Sequence, residues 1–231
     1  MATEYLVVIP VYDGVDLFDV AAPCEVISWV KQIPTTGQSL KVVIASEKGG
    51  AITTRPAGMQ IVAGASFTDI GHVDLLWVPG GAPSALQQQF ANPAYIGFLQ
   101  RAARDAEYVT SVCEGALLLA EAGLLNGYTA TTHWAFLNCL RAYPQINVIP
   151  EAPRFASDYP RFVVDDHNGP KGIRVTGGGI SSGLDESLEL ICRIAGAPAA
   201  SSCRQTMQYF PDPPVGATIP LESPTCAQAM G

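Results

Sequence analysis

Short runs of apolar residues alternate along the chain with segments of helical spacing, and this alternation predicts the fold. Runs rich in β-branched and aromatic residues predict strands, because such runs are typical of strands buried on both faces of a sheet. These runs are residues 5–10, 40–45, 73–78, 108–112, 162–165 and 173–176, with a shorter one at 128–132. Residues 52–62, interrupted at 55–58, predict a β-hairpin, and residues 168–170 (NGP) predict a turn.

Between these runs, apolar residues recur with the period of a helix. The predicted helices are residues 16–30, 85–90, 96–106, 115–121, 134–141 and 183–195. Since parallel strands need crossover connections, this order predicts an α/β fold with a doubly wound, mostly parallel sheet sandwiched by helices, of the flavodoxin-like type. No linker divides the chain, so we expect a single domain over residues 1–231. The prolines and small residues after about residue 198 predict an irregular C-terminal tail over 198–231.

Composition narrows the class of protein. Of the 231 residues, 48% are hydrophobic and 15% charged, which excludes a disordered chain because such chains combine low hydrophobicity with dense charge. The net charge of −8 argues against nucleic acid or an anionic membrane surface as a partner. No run approaches the ~20 apolar residues of a membrane span, and the first residues lack a signal-peptide pattern. We therefore expect a cytoplasmic protein.

The cysteines and histidines show no metal-site spacing. The six cysteines are Cys24, Cys113, Cys139, Cys192, Cys203 and Cys226, and the three histidines are His72, His133 and His167. No C-x-x-C pair occurs, and no cysteine lies near a histidine with zinc-finger spacing. We therefore expect free thiols in a reducing compartment rather than a disulfide scaffold, and no structural metal.

One thiol stands in a setting that differs from the other five. Residues 110–116 (TSVCEGA) place Cys113 between a predicted strand and the helix that begins at Gly115. A nucleophile between small residues at such a turn is typical of a nucleophile elbow, which often holds it in a strained backbone conformation. The positive end of the helix dipole favours a thiolate there. The alternative is a buried structural cysteine.

Three further candidates follow other strands. Gly80 and Gly81 could aim backbone N–H groups at a developing anion, or they could simply form a tight turn. Asp19 could move protons from a mostly apolar pocket, or it could complete a capping box with Asp16. His133 could pair with Cys113, or it could cap a helix or pack in the core.

The motifs that carry these candidates together resemble the DJ-1/PfpI superfamily, which has the class I glutamine amidotransferase-like fold. They are residues 16–23 (DLFDVAAP), 78–81 (VPGG), 108–116 (YVTSVCEGA), 122–127 (AGLLNG), 130–134 (ATTHW) and 176–185 (TGGGISSGLD). They resemble most the branch that holds isocyanide hydratases and the N-terminal domains of certain AraC-type regulators. No helix-turn-helix region follows in this sequence, so we expect no DNA-binding half.

The resemblance implies a homodimer, Cys113 as nucleophile, Asp19 as its acidic partner, and an anion-stabilising pocket at the backbone amides near Gly81 and Glu114. It implies an isocyanide hydratase-like hydro-lyase that uses no metal or organic cofactor, with Trp134 either lining the pocket or packing in the core. The hydratases have threonine after the cysteine, whereas this chain has Glu114.

An ionised Glu114 aimed inward would oppose thiolate formation; it could instead point elsewhere or indicate another substrate. Glyoxalase-like or protease-like activity, or a non-enzymatic redox sensor or ligand-binding module, remain the alternatives.

Overall fold

The computed structural model describes residues 4–55, 58–169 and 172–231. Residues 56–57 of the predicted hairpin and residue 170 of the predicted turn lie outside the described residues. The strands are β1 (Tyr5–Pro10), β2 (Val15–Asp16), β3 (Leu40–Ser46), β4 (Gly50–Arg55), β5 (Gln60–Ala63), β6 (Ala65–Ser66), β7 (Leu75–Val78), β8 (Tyr108–Ser111), β9 (Thr129–Ala130), β10 (Asn147–Val148), β11 (Phe162–Asp165) and β12 (Ile173–Gly177). The helices are α1 (Leu17–Ser28), α2 (Pro83–Phe90), α3 (Pro93–Ala102), α4 (Gly115–Glu121), α5 (Leu137–Leu140), α6 (Ser182–Ala195), α7 (Ala197–Thr206) and α8 (Cys226–Met230).

The main sheet has the strand order β11-β12-β8-β7-β1-β3-β6, and it is parallel except for the edge strand β11. The chain passes from β1 outward to β3 and then returns to β7 on the other side of β1. The order therefore reverses beside β1 and β7, and in such folds a crevice opens there at the carboxyl ends of the strands. The predicted doubly wound sheet is confirmed, and the predicted hairpin corresponds to the antiparallel pair β4 and β5.

Two helical layers cover the sheet. On one side α1 packs against α6, and on the other α4 packs against β7, β8, α2 and α3. The central strands are covered on both faces, since every residue of β7 and β8 is buried. This double burial explains why β7 is apolar throughout rather than alternating, as parallel strands between two helical layers require, whereas β8 ends in the buried polar residues Thr110 and Ser111.

The C-terminal region differs from the expectation of an irregular tail. Helix α7 occupies the first part of it, α8 the last, and residues 207–225 between them are irregular. The predicted helix over 134–141 is also divided, into a 3-10 turn at Trp134–Phe136 and the short α5. The density of prolines correctly predicted the irregular segment at residues 207–225. It did not predict the helices α7 and α8 on either side of that segment.

The expectation that all six thiols are free is wrong. Cys139 on α5 and Cys226 on α8 form a disulfide across 87 residues of sequence, whereas Cys24, Cys113, Cys192 and Cys203 are free. The bond joins the last helix to the body of the molecule. Sequence spacing does not show this pairing, because it depends on the path of the irregular segment between α7 and α8. Among the described helices, none combines the length and apolar character that crossing a bilayer requires.

Candidate active site

Cys113 lies in the sharp turn between β8 and α4, as the sequence predicts. Its φ angle is 55°, in the left-handed region that side-chain-bearing residues rarely adopt. Its N–H donates to the Gly178 carbonyl at 2.8 Å, and its carbonyl accepts from Thr132 Oγ1 at 2.7 Å. A Cβ on Gly115 would stand 2.0 Å from the Val78 carbonyl oxygen, so the turn requires glycine there. The surrounding chain thus holds the strained backbone of Cys113.

Three carboxyl groups surround the Cys113 thiol. The Cys113 sulfur and one carboxyl oxygen from each of Asp16, Asp19 and Glu114 all lie within 4.8 Å of one another. All four residues are buried. A thiol and carboxylates are also ligands for divalent cations, so this set could converge on one. In proton chemistry, the same arrangement supplies a nucleophile with several adjacent proton donors and acceptors.

The backbone around Asp19 fixes its carboxyl group. Pro23, inside α1, has no N–H to give the Asp19 carbonyl four residues earlier, and the indole Nε1 of Trp77 donates to that carbonyl instead at 2.9 Å. The Asp19 Oδ2 accepts the Gly80 N–H at 2.9 Å, while Oδ1 is buried and has no hydrogen-bond partner among the described residues. Asp19 is thus positioned from the sheet as well as from its own helix.

Glu114 points inward, which answers the question that the sequence left open. A carboxyl oxygen of Glu114 lies within 4.8 Å of the Cys113 sulfur, and its Oε2 is buried without a partner in the described chain. A Cβ on Gly80 would stand 2.4 Å from that oxygen and 3.0 Å from the Cβ of Cys113. Glycine is therefore required at position 80, because any side chain there would occupy the space of the Glu114 and Cys113 side chains.

Burial and mutual repulsion keep protons in the cluster. Burial first, and then the charges of Glu114 and Asp19, raise the pKa of the Cys113 thiol well above its ordinary value. Burial also raises the pKa of Asp19 well above its ordinary range, against the Gly80 N–H that lowers it, and raises the pKa of Glu114. These shifts oppose the thiolate expected from the helix dipole alone.

One interpretation of the sequence was that the Asp16 side chain caps α1, and the structure shows that it does not. Its N-cap position shows no side-chain hydrogen bond, and its carboxylate instead pairs with Arg55 of β4 at 2.8 and 3.2 Å. Asp16 is almost fully buried, whereas 41% of the Arg55 side chain is exposed. The guanidinium thus supplies a positive charge from the solvent side of the cluster. Sequence reasoning missed Arg55 because nothing local links the hairpin to the first helix.

No hydrogen bond joins His133 to Cys113 among the described residues, so their pairing stays a prediction. Its Nδ1 accepts the N–H of Ala135, and burial followed by the positive charge of Arg55 lowers its pKa. His133 and Trp134 instead line a cavity of about 410 Å³. Trp134 is half-buried at this wall, so its predicted pocket role fits the structure better than the core role does.

This cavity adjoins the backbone of Cys113. Its lining residues are Thr131, Thr132, His133, Trp134, Tyr159, Pro160, Arg161, Gly178, Gly179, Ile180, Ser181, Ser182 and Ile219. Thr132 and Gly178 in this wall make the two backbone hydrogen bonds to Cys113 described above. Cys113 itself is buried, with 1% of its surface exposed, and it is not one of the residues that line the cavity.

Gly81, the other predicted anion-stabilising residue, packs against β2 and Tyr12. A Cβ there would stand 2.7 Å from the Gly14 carbonyl oxygen and 2.9 Å from the Tyr12 hydroxyl. Of the two glycines, Gly80 already donates its N–H to Asp19. An oxyanion site at these amides therefore stays a prediction.

A further buried acid was not noticed in the sequence. Glu186 of α6 is 0% exposed, and neither of its carboxyl oxygens has a hydrogen-bond partner among the described residues. A Cβ on Gly177 would stand 2.3 Å from its Oε2. Burial and then the charge of Asp19 raise the pKa of Glu186 well above its ordinary value, so it holds its proton at neutral pH.

Comparison with known proteins places this site in a family. The sequence pattern of the DJ-1/PfpI family matches residues 6–167. An isonitrile hydratase of Pseudomonas putida is 34% identical over 172 residues, which cover 74% of this chain and 68% of the hydratase. The HTH-type transcriptional regulator CdhR of Pseudomonas aeruginosa is 28% identical over 158 residues, covering 68% of this chain and 41% of the regulator.

Solved structures agree with the fold. A THiJ/PfpI family protein from Pseudomonas syringae superposes with a TM-score of 0.77 at 26% identity, covering 94% of this chain and 79% of that one. DJ-1beta of Drosophila melanogaster superposes with a TM-score of 0.70 at 14% identity, covering 89% of this chain and 98% of that one, which shows the fold alone.

Proposed function

Because the chain belongs to the DJ-1/PfpI family, we propose that it uses the Cys113 cluster to hydrate an isocyanide to an N-substituted formamide, as a hydro-lyase acting as a homodimer. The observation that carries the proposal is the buried thiol with two carboxyl groups within 4.8 Å, Asp19 to give a proton and Glu114 to accept one. The 34% identity to an isonitrile hydratase supports the same chemistry. This chemistry requires no metal or organic cofactor.

In the first step the Cys113 sulfur bonds to the terminal isocyanide carbon. Glu114, whose carboxyl group lies beside the thiol, takes the S–H proton as a general base. Asp19 gives its proton to the same carbon, and the product is a thioimidate, R–N=CH–S–Cys113. Burial raises the pKa of Asp19 well above its ordinary range, which favours the acid form that this step uses.

In the second step water adds to the thioimidate carbon and the nitrogen gains a proton. The C–S bond then breaks, the formamide R–NH–CHO leaves, and the sulfur regains a proton. The proton held by Glu114 and one proton of the water restore the acid forms of the cluster. The sum is R–NC plus H2O giving R–NH–CHO, with no net proton released.

The covered sulfur favours a slender electrophile over a peptide. An isocyanide ends in a single bare carbon, which can pass a narrow opening toward a thiol that is 1% exposed. A peptide carbonyl is flanked by chain on both sides and needs a wider approach. The position of His133, whose Nδ1 is engaged by Ala135, also gives no support to the Cys–His pair that a protease would use.

The test is to incubate purified protein with an alkyl isocyanide and to measure the loss of isocyanide and the gain of formamide by mass spectrometry. We expect turnover by the wild type, none by Cys113→Ala, and unchanged turnover by Cys24→Ser, a free half-buried thiol outside the cluster. Absence of turnover by the wild type, or full turnover by Cys113→Ala, contradicts the proposal.

A further inference from the structure

The irregular segment between α7 and α8 lies against the cavity. Ile219 is one of the cavity-lining residues, and it is half-buried, whereas every other residue from 211 to 220 is exposed. The segment thus turns one apolar side chain inward among solvent-facing neighbours. It stands in the wall with His133 and Trp134, whose loop also contributes Thr132, the partner of the Cys113 carbonyl.

Hydrogen bonds fasten this segment on both sides of the cavity. The Tyr159 hydroxyl, from another cavity-lining residue, donates to the Pro220 carbonyl at 2.8 Å. The Asn138 amide on α5 donates to the carbonyls of Ser223 and Pro224 at 3.0 and 2.9 Å. Ile219 is therefore followed directly by anchored backbone, so its side chain is held at a defined place.

The Cys139–Cys226 disulfide completes this attachment. Cys139 lies next to Asn138 on α5, and Cys226 begins α8 immediately beyond Thr225, which caps that helix. Helix α8 also packs against α2 and the 3-10 turn that follows His133. The covalent bond and the hydrogen bonds thus act on one short stretch of chain, and they hold it against the cavity.

We propose that the segment around Ile219, fastened by the Cys139–Cys226 disulfide, is the specificity-determining wall that limits the size of the group reaching Cys113. The segment lies beyond residues 6–167, the part of the chain that the family pattern matches, and beyond the motif at residues 176–185. The wall is apolar where it faces the cavity, and Trp134 and Tyr159 lie in the same cavity. The substrates it admits are isocyanides with a compact apolar or aromatic substituent.

The first test does not depend on turnover. Iodoacetamide and a bulky aromatic maleimide are applied separately, and alkylation of Cys113 is followed by peptide mass spectrometry, with Cys24 as the internal reference thiol. We expect Ile219→Ala to increase the maleimide-to-iodoacetamide rate ratio at Cys113 about tenfold, and Ile219→Trp to decrease it. Val215→Ala, at an exposed position of the same segment, should leave the ratio unchanged.

The second test removes the attachment. A variant carrying Cys139→Ser and Cys226→Ser should increase the same ratio at least as much as Ile219→Ala, and limited proteolysis should cut residues 211–225 faster than in the wild type. If the segment is released but the ratio at Cys113 does not change, the proposal is overturned. An equal ratio in Ile219→Ala, Ile219→Trp and wild type overturns it as well, without reference to a disulfide variant.

A third test measures turnover, and it rests on the proposed function. For a series from methyl to bulky aromatic isocyanides, Ile219→Ala should increase kcat/KM for the bulky members about tenfold and leave the small ones within twofold. If the wild type hydrates no isocyanide, the proposed function fails while the alkylation ratios still decide the role of the wall. If turnover occurs but Ile219→Ala and wild type have the same size preference, the wall proposal fails alone.

Discussion

Two regions of this molecule hold cysteines in opposite ways. At the carboxyl ends of the central strands, Cys113 is a free thiol among buried carboxyl groups, some of whose oxygens have no hydrogen-bond partner among the described residues. At the C-terminal region, Cys226 is bonded to Cys139 on a short helix. The first region keeps groups whose desolvation costs free energy, because the surrounding core is large enough to hold them. The second has little core of its own and depends on a covalent bond.

The comparison teaches where stability and reactivity are separated. A buried acid without a partner destabilises the folded chain, so its presence indicates a use other than packing. A disulfide to a peripheral helix restricts the unfolded chain and adds no reactive group. Variants in the cluster should therefore change the chemistry at Cys113, whereas variants at the disulfide should change stability and the access of bulky groups to Cys113.

The largest effect is expected from Asp19→Asn. Asparagine can still accept the Gly80 N–H, but it cannot give a proton to the isocyanide carbon, so kcat/KM should fall by about 10²–10⁴-fold. The melting temperature should stay equal or increase, because a buried acid has been removed. Steady-state kinetics and thermal unfolding check this. Asp69→Asn, at an exposed acid, is the matched control. Equal losses of activity and stability in Asp19→Asn would contradict the separation of reactivity from stability between the two regions.

The next effect concerns stability in the C-terminal region. Cys139→Ser with Cys226→Ser opens a link across 87 residues, and removal of such a bond costs about 2–4 kcal/mol in the chain-entropy view. Denaturant unfolding of the variant and wild type measures the loss. Alkylation of Cys113 by iodoacetamide, a small reagent, should change less than twofold. A large change there would mean that the two regions are not separate.

A smaller effect is expected in the pH dependence of stability. The folded chain keeps the Glu186 proton to higher pH than the unfolded chain, whose ordinary value is 4.5. Above that value the folded state binds more protons, so this group makes the free energy of unfolding fall as pH rises, by at most about 1.4 kcal/mol per unit, until the folded pKa is passed. Glu186→Gln should remove this contribution between pH 5 and 7.

The control for that measurement is Glu189→Gln on the same helix, where the carboxylate pairs with Arg193 near the surface. Chemical unfolding at several pH values gives the slopes. Parallel slopes for wild type and Glu186→Gln would show that Glu186 is not a buried proton holder.

The smallest effect is expected at Glu114. Its charge raises the pKa of the Cys113 thiol, so Glu114→Gln should lower that pKa toward its ordinary value. The iodoacetamide rate at pH 7 should then increase by about fivefold, since a unit of pKa is about a factor of ten in thiolate. The pH dependence of alkylation provides the measurement. An unchanged profile would mean that burial alone holds the thiol proton.

Much of the fold could be predicted from the sequence because its signals are local. Apolar runs marked the central strands, and the small residues around Cys113 indicated the turn that the structure shows. The inward direction of Glu114 could not be predicted, because it depends on the space that Gly80 leaves from another strand. Arg55 and Ile219 were missed for a related reason: each reaches the site from a segment distant in sequence. The disulfide was missed because neither cysteine stands in a recognisable motif.

The bond between the Trp77 indole and the Asp19 carbonyl joins a rigid part of the sheet to the proton donor. Proline at position 23 makes that bond available by leaving the carbonyl without its helical partner. The acid is therefore aligned by contacts from the sheet in addition to its place on α1. A Pro23→Ala change would supply an N–H that can bond the Asp19 carbonyl within the helix, in competition with the indole. The Asp19 carboxyl group would then be held less firmly, although no reacting atom is changed.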